Sequence, residues 1–482
     1  MLMIFSVLFP ILSGLALLLS GTDHRRLRER WVVGTAVITA ILAFFAVLTG
    51  FETNIELVRL TEKLAFGFHV DGLAAVFSVM VAVLWVIASV YALEYMKHEG
   101  AETRFFAFFL ASFGVTLGVA FSANIVTMYL FYELLTLATL PLVMHAMNGR
   151  ARYAGKTYIL YSMTGAGLGF VSMMFLLYCG AGDFSLGGTL PPTEFVGDEN
   201  VIRLFYVIGF FGFGVKAAVF PFHGWLLDAS VAPTPVTALL HAVAVVKAGV
   251  FAVMRLTYYC FGTELLFGTW AQVAVICTVA FTVVYGSVQS LRTPHFKRRL
   301  AYSTVSNLSY ILVGVVVMTP AGLVAAVAHM LFHAVNKITL FFGCGAVYYK
   351  THKEYVYELA YIGREMPVTM AAFAVTALSL MGIPPLCGFT SKWMLGTAAM
   401  GTGLIVGWSA TAALITSALL TALYMMSILF TAYASTDKPL RIENHDPNLL
   451  MKGPLAVLAV LCIVVSVFAQ PLLELVVKLL GV

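Results

Sequence analysis

An all-α polytopic membrane protein of about fourteen transmembrane helices is the fold class this chain predicts, and three observations predict it. Hydrophobic residues fill 61% of its 482 positions and charged residues 11%, and mean hydropathy is +0.95, outside the range of a water-soluble domain. Apolar runs of about 20 residues, the length that crosses a bilayer as a helix, recur along the whole chain. Lysine and arginine collect in alternate connections between those runs, the asymmetry that sets membrane topology. The net charge of +5 is scattered through short loops, without a groove-sized cluster or interleaved aromatics, which sets nucleic acid aside as a partner.

The runs fall at residues 2–20, 31–50, 70–96, 104–122, 124–147, 154–180, 201–222, 233–259, 267–290, 301–318, 321–349, 366–395, 403–433 and 453–479. The first lacks the basic flank and small-residue cleavage site of a signal peptide, so it predicts a retained span. With the N-terminus outside, nineteen of the 28 basic residues face the cytoplasm. They are Arg25, Arg26, Arg28, Arg30, Lys97, Arg104, Arg150, Arg152, Lys156, Arg292, Lys297, Arg298, Arg299, Lys350, Lys353, Arg364, Lys438, Arg441 and Lys452. Arg59, Lys63, Arg203, Arg255 and Lys478 fall opposite, so both termini are expected on the outer face. The longest outer loop, residues 180–200, is acidic and rich in Gly and Pro, a surface connection without evident chemistry.

Four lysines remain, and all four sit inside apolar runs: Lys216, Lys247, Lys337 and Lys392, joined there by Glu133. An ionised group at the bilayer centre costs roughly 2.5–3.5 kcal/mol on insertion scales, so such residues mark ion or proton paths by default. Two of the lysines lie beside prolines that interrupt their spans. Lys216 precedes Pro221 in GFGVKAAVFPFHGWLL, and Lys392 follows Pro384 and Pro385 in SLMGIPPLCGFTSKWML. Proline frees backbone carbonyls, tolerated at membrane depth only beside protein or a wet cavity, so each break predicts water next to a lysine. The breaks are five spans apart, which predicts two inverted five-helix repeats. The implied divisions are residues 1–103 (three leading spans), 104–259 (first repeat), 260–433 (second repeat) and 434–482 (a cytoplasmic loop and the last span). Prolines that merely kink long helices for packing are the competing explanation.

In span eleven, AAVAHMLFHAVNKITLFF places His329, His333 and Lys337 at i, i+4 and i+8 on one helix face. Zinc is the rival for H-x-x-x-H, but no carboxylate or cysteine completes the set and Lys337 repels a cation. Groups titrating in sequence along a buried face suit a proton wire instead. Glu133 beside Lys216 would act as a charge switch, or as a static buried ion pair. The six cysteines occur singly, with no cluster or zinc spacing, and read as small apolar packing residues. No Gly-rich dinucleotide turn follows a strand, so no cofactor is expected in this chain.

Five ordered motifs carry a family resemblance: NIVTMYLFYELLTLATLPL, VKAAVFPFHGWLLDASVAPTPVTALLHAVAVVKAGVFAVMRL, FKRRLAYSTVSNLSYILVG, HMLFHAVNKITLFF and GIPPLCGFTSKWML. Over residues 65–435 the chain resembles the antiporter-like subunits shared by respiratory complex I, Mrp-type multisubunit sodium/proton antiporters and group 4 membrane-bound hydrogenases. That resemblance implies two inverted half-channels joined by a central polar axis. Glu133 matches the fifth-helix glutamate, Lys216 the seventh-helix lysine and Lys247 the connecting eighth-helix lysine. His329, His333 and Lys337 match the eleventh-helix row and Lys392 the terminal group, while His241 belongs to the link between halves. Lysine rather than glutamate at position 392, and no long lateral helix, make the MrpD type of subunit the most similar. The resemblance further implies a prokaryotic-type inner membrane, homologous antiporter-like subunits as partners, and either a redox peripheral arm with iron–sulfur or hydrogenase proteins or a pure antiporter. The expected function is ion translocation, of protons with sodium as a candidate exchanged ion; a stand-alone transporter of a small solute is the alternative.

Overall fold

The computed structural model describes residues 1–22, 24–61, 64–190, 198–434 and 444–482. Lys63, Lys438 and Arg441, and residues 191–197 of the acidic loop, lie outside the described residues. Helices α1 (Leu2–Ser20) and α2 (Arg25–Gly50) lead into a hairpin of β1 (Asn54–Thr61) and β2 (Leu64–His69). Then come α3 (Gly72–Tyr95), α4 (Glu102–Ala120), α5 (Ile125–Val143), α6 (Gly149–Tyr178), α7 (Glu199–Gly214) and α8 (Gly224–Ala229). The centre is built by α9 (Thr234–Ala242), α10 (Val245–Met254), α11 (Trp270–Arg292), α12 (Phe296–Val316) and α13 (Pro320–Thr351). The chain closes with α14 (Ile362–Glu365), α15 (Pro367–Met381), α16 (Cys387–Gly401), α17 (Ile405–Tyr433), α18 (Leu449–Val467) and α19 (Ala469–Leu480).

Eleven helices among the described residues are long and apolar enough to cross a membrane, and the chain is a polytopic membrane protein. Three of the expected spans are not in that set. Helix α7 stops after 16 residues, α15 and α16 are 15 residues each on either side of the proline pair, and α12 carries Lys297, Arg298 and Arg299 directly after its first residue, Phe296. The expectation of an all-α chain is corrected by the antiparallel hairpin, in which Asn54 faces His69 and Thr61 faces Leu64. Its signal was present in NIELVRLT, where apolar and polar residues alternate with the period of a strand on either side of Leu57–Val58, a point at which the pairing register shifts. The last run also divides: Phe468 separates α18 from α19.

Span eight is broken as well, without proline. Helix α9 ends at Ala242, and Val243 and Ala244 leave helical geometry, both amides turning back to the Leu239 carbonyl at 3.0 and 2.8 Å. From Arg255 to Phe261 the helix widens to π geometry. Irregular backbone of this kind survives at membrane depth only inside protein, and every residue from Pro235 to Phe261 is buried. Helix α13 runs unbroken for 32 residues, started by the Thr319 cap on Gly322 and Pro320 in the first turn. Around this centre α1, α2, α6, α17 and α18 present apolar residues outward, among them Phe44, Leu160, Phe430 and Val460.

Candidate functional site

Asn124 caps α5 by accepting the Thr127 amide at 2.9 Å, which aims Tyr132 and Glu133 at the end of α7. Lys216 stands two residues past that end, in the break before Pro221, and is buried. Its ammonium donates to the Tyr132 carbonyl, lies 3.4 Å from the centroid of the Tyr132 ring and 3.5 Å from Glu133 Oε1. That oxygen accepts no hydrogen bond within the protein. The two charges therefore attract, while the lysine is anchored on neutral groups and the carboxylate keeps acceptor capacity in reserve.

Gly249 explains how α10 reaches this point. A Cβ there would fall 2.5 Å from the Ala217 nitrogen and 2.9 Å from Lys216 Cβ, so only glycine lets the helix carrying Lys247 press on the backbone carrying Lys216. Lys247 Nζ meets His333 Nδ1 at 2.8 Å, both buried. His333 and His329 have ring centroids 6.0 Å apart, and His329 Nδ1 lies 2.9 Å from Ser391 Oγ of α16. Lys337, two turns beyond His329 on the same face, turns to a different helix. It donates to the Leu300 carbonyl at 2.9 Å and Ser303 Oγ at 2.7 Å on α12, and the Tyr424 hydroxyl closes on Ser303 at 2.9 Å. The span-eleven row is thus a branch point joining α10, α12 and α16. His241 is buried with its ring 4.9 Å from Phe341.

At the second break, Pro384 and Pro385 lack the amides that would have bonded Leu380 and Met381 four residues earlier. Those two carbonyls accept the Lys392 ammonium instead, at 2.7 and 3.1 Å. The lysine of the same span thus folds back and donates to the carbonyls that the prolines free. Near the first break the Trp225 indole donates to the Val215 carbonyl at 2.8 Å, which also accepts the Ala218 amide at 3.0 Å. The reading of Lys392 as a side chain reaching for headgroups is also at odds with this geometry.

A cavity of about 800 Å3 opens at the other end of α9, α12 and α13, lined by Glu99, Arg150, Asp228, Lys297, Lys353 and Glu354 among others. Burial pushes the Glu99 carboxyl above the usual carboxylate range, against the opposing pull of Lys297. Thr234, Lys297 and Cys344 line the same cavity, and each precedes or follows His241, Ser303 or Lys337 by six or seven residues on its own helix, about 10 Å along a helix.

Sequence reasoning passed over Ser303, Tyr424, Ser391 and Tyr132. The serines could have been flagged by their density: Ser303, Thr304, Ser306, Asn307 and Ser309 crowd one apolar span, and all five are buried. A second buried ion pair, Arg255 with Asp71, joins the π-helical segment to the α3 cap, where the second guanidinium nitrogen meets Asp71 at 2.7 Å.

Known proteins share this architecture. The family model for the NADH:quinone oxidoreductase/Mrp antiporter transmembrane region matches residues 122–421, and that for the N-terminus of complex I chain 5 matches residues 61–106. The N subunit of NADH-quinone oxidoreductase from Desulforudis audaxviator is 33% identical over 371 residues, 76% of this chain and 72% of that one. A probable K+/H+ antiporter A/B subunit from Rhizobium meliloti is 30% identical over 410 residues, 84% of this chain. The match spans 40% of that relative's length. Among solved structures, a chain of the membrane-bound sulfane sulfur reductase, an archaeal respiratory membrane complex, superposes with a TM-score of 0.85 at 22% identity, covering 99% of this chain and 96% of that one; it shows the fold. With the matched region containing every buried lysine and histidine described above, the chain belongs to the NADH:quinone oxidoreductase/Mrp antiporter transmembrane family.

Proposed function

We propose that this chain is an ion-translocating subunit of a larger membrane complex and that it relays protons along Glu133, Lys216, Lys247, His333, His329, Lys337 and Lys392, with His241 beside the link. Sodium is the candidate exchanged ion. The observation that carries this reading is the reserve of hydrogen-bonding capacity in the buried core. Nε2 of His329 and Nε2 of His333 make no hydrogen bond within the protein, and Glu133 Oε1 has only the Lys216 ammonium 3.5 Å away, whereas buried polar groups in a purely structural core are nearly always paired. Lys247 on His333, and His329 on Ser391, supply the hydrogen-bonded steps.

The partners in this reading are other membrane subunits, homologous antiporter-like chains included, and a redox peripheral arm where the parent complex has one; a D-type Mrp subunit is the type we propose. Fourteen spans complete the architecture, with α7, α12 and the α15–α16 pair added to the eleven apolar helices. The two proline breaks and the lysine beside each support an inverted repeat dividing at residues 104, 260 and 434. The basic connections on one side support a topology with both termini outside. Single cysteines introduced beside Arg26 and Arg298 should then react with impermeant maleimide from the cytoplasm and one beside Asp198 from outside; labelling of all three from one side overturns the topology.

The test of function is transport by the intact complex in vesicles, together with the identity of the copurifying subunits. Proton or sodium movement that disappears with Lys216→Ala, at unchanged assembly, supports the relay. Wild-type movement in that variant ends it, and recovery of this chain alone with solute uptake returns the secondary-transporter reading.

A further inference from the structure

The fold brings together two cysteines that are 75 positions apart in sequence and that the relay does not use. Cys387 opens α16, and Cys462 lies in α18. Both are buried, neither is in a disulfide, and their sulfurs contact the two members of one hydrogen-bonded side-chain pair, Ser379 and Asn336. Two bridges hold them in place. The Cys387 amide donates to Ser466 Oγ at 2.8 Å, and Ser466 Oγ donates to the Cys462 carbonyl at 2.7 Å. Asn336 Oδ1 accepts the Cys462 thiol at 3.2 Å and its Nδ2 donates to Ser379 Oγ at 3.0 Å, while Ser379 lies 3.4 Å from the Cys387 sulfur. The approach of α16 is itself enforced by sequence, because a Cβ on Gly388 would fall 1.8 Å from the Ser379 carbonyl oxygen.

We propose that Cys387 and Cys462 form a modification site that small neutral hydroperoxides convert to a reversible disulfide. The chemistry closes on these atoms. One sulfur attacks the peroxide, an S–O bond forms as O–O breaks, and the expelled hydroxide, or alkoxide where the peroxide is organic, takes up the thiol proton as water or alcohol. The second sulfur attacks the first, S–S forms as S–O breaks, and the departing hydroxide takes the second thiol proton as another water. The sulfur pair loses two electrons and the peroxide gains two. A reducing compartment keeps such a pair as thiols until oxidant arrives. Two consequences are built into the position. The link fastens α16, the helix of Ser391 and Lys392, to α18, and it removes the thiol donor from Asn336, the immediate neighbour of Lys337.

Intact complex in native membranes is treated with hydrogen peroxide, quenched, denatured and alkylated with maleimide. The chain should lose two maleimide adducts out of its six cysteines, a peptide linking Cys387 to Cys462 should be found without reductant, and dithiothreitol should restore both adducts. Cys387→Ser and Cys462→Ser should each abolish the change in count. An unaltered count, a link between other cysteines, or oxygen adducts that dithiothreitol cannot remove overturns the proposal. The wild-type peptide map decides the matter even where a serine variant fails to assemble.

Discussion

Lys216 and Lys392 occupy equivalent places beside proline breaks and live in opposite electrical surroundings. Lys216 reaches across to another helix, onto the Tyr132 carbonyl and ring, with the Glu133 carboxylate 3.5 Å away. Lys392 turns back on its own span and finds two carbonyl dipoles at 2.7 and 3.1 Å; its nearest ring is Tyr310, 5.1 Å away. A formal counter-charge couples a lysine to whatever moves that charge. Backbone dipoles are fixed and give it no carboxylate to answer to. The same local device, proline plus lysine, thus yields a pair whose charge state answers to a partner at one end and a group set by its own backbone at the other.

The largest expected effect breaks the first of these. Lys216→Ala removes the cation from a relay in which each positioned proton carrier is worth about 10²-fold or more, so transport by the intact complex should fall to near the vesicle background while the chain still assembles. Glu133→Gln keeps the shape of the side chain and deletes the charge, and should mimic it. Transport of Glu133→Gln at wild-type rate would show that the carboxylate is only a neighbour, and the contrast with Lys392 would disappear.

The second effect separates capping from titration at Lys392. Lys392→Leu leaves the Leu380 and Met381 carbonyls without their donor, a penalty of about 1–3 kcal/mol for each buried group left unpaired, so both thermal stability of the purified complex and transport should drop. Lys392→Gln retains a donor but cannot titrate in the working range, so it should recover much of the stability and none of the transport. Recovery of both by glutamine would make Lys392 a structural cap and remove it from the relay.

How far the chain alone disclosed this difference depends on what kind of signal each part leaves. Eleven of the expected spans and the charges buried among them were legible because an apolar run of fixed length, and a lysine inside it, are local patterns that the bilayer alone explains. The pairing of Lys216 with Glu133 was anticipated from the two residue types, and the proline breaks from proline itself. The break at Val243–Ala244 left no trace, because no proline or glycine marks it and only packing from all sides holds it. Lys392 capping its own carbonyls was hidden for a related reason: periodicity says which face a side chain starts from and not that a long flexible chain will fold back. The hairpin at Asn54–His69 was written in alternation and was overlooked beside the stronger apolar runs. The meeting of Cys387 with Cys462 depends on the packing of α16 against α18, which no spacing rule reaches.

Lys337 offers the finest test of the contrast, because it shows a third arrangement in which one backbone carbonyl and one hydroxyl replace both the carboxylate and the paired carbonyls. Ser303→Ala removes the hydroxyl and leaves the Leu300 carbonyl at 2.9 Å. Tyr424 is not orphaned, since its hydroxyl also reaches Thr421 Oγ1 at 3.2 Å. The loss is therefore close to one ordinary hydrogen bond, about 0.5–1.5 kcal/mol. If the two ligands merely hold Lys337 in place, as backbone dipoles hold Lys392, that amount should appear as a small fall in melting temperature and a reduction in transport of several-fold at most. If Ser303 passes the proton itself, transport should collapse by about the 10²-fold expected of a relay member with little change in melting. Measuring both quantities on one preparation distinguishes the cases. A variant unchanged in either would show that the carbonyl alone sets Lys337, and would place it with Lys392 rather than between the two extremes.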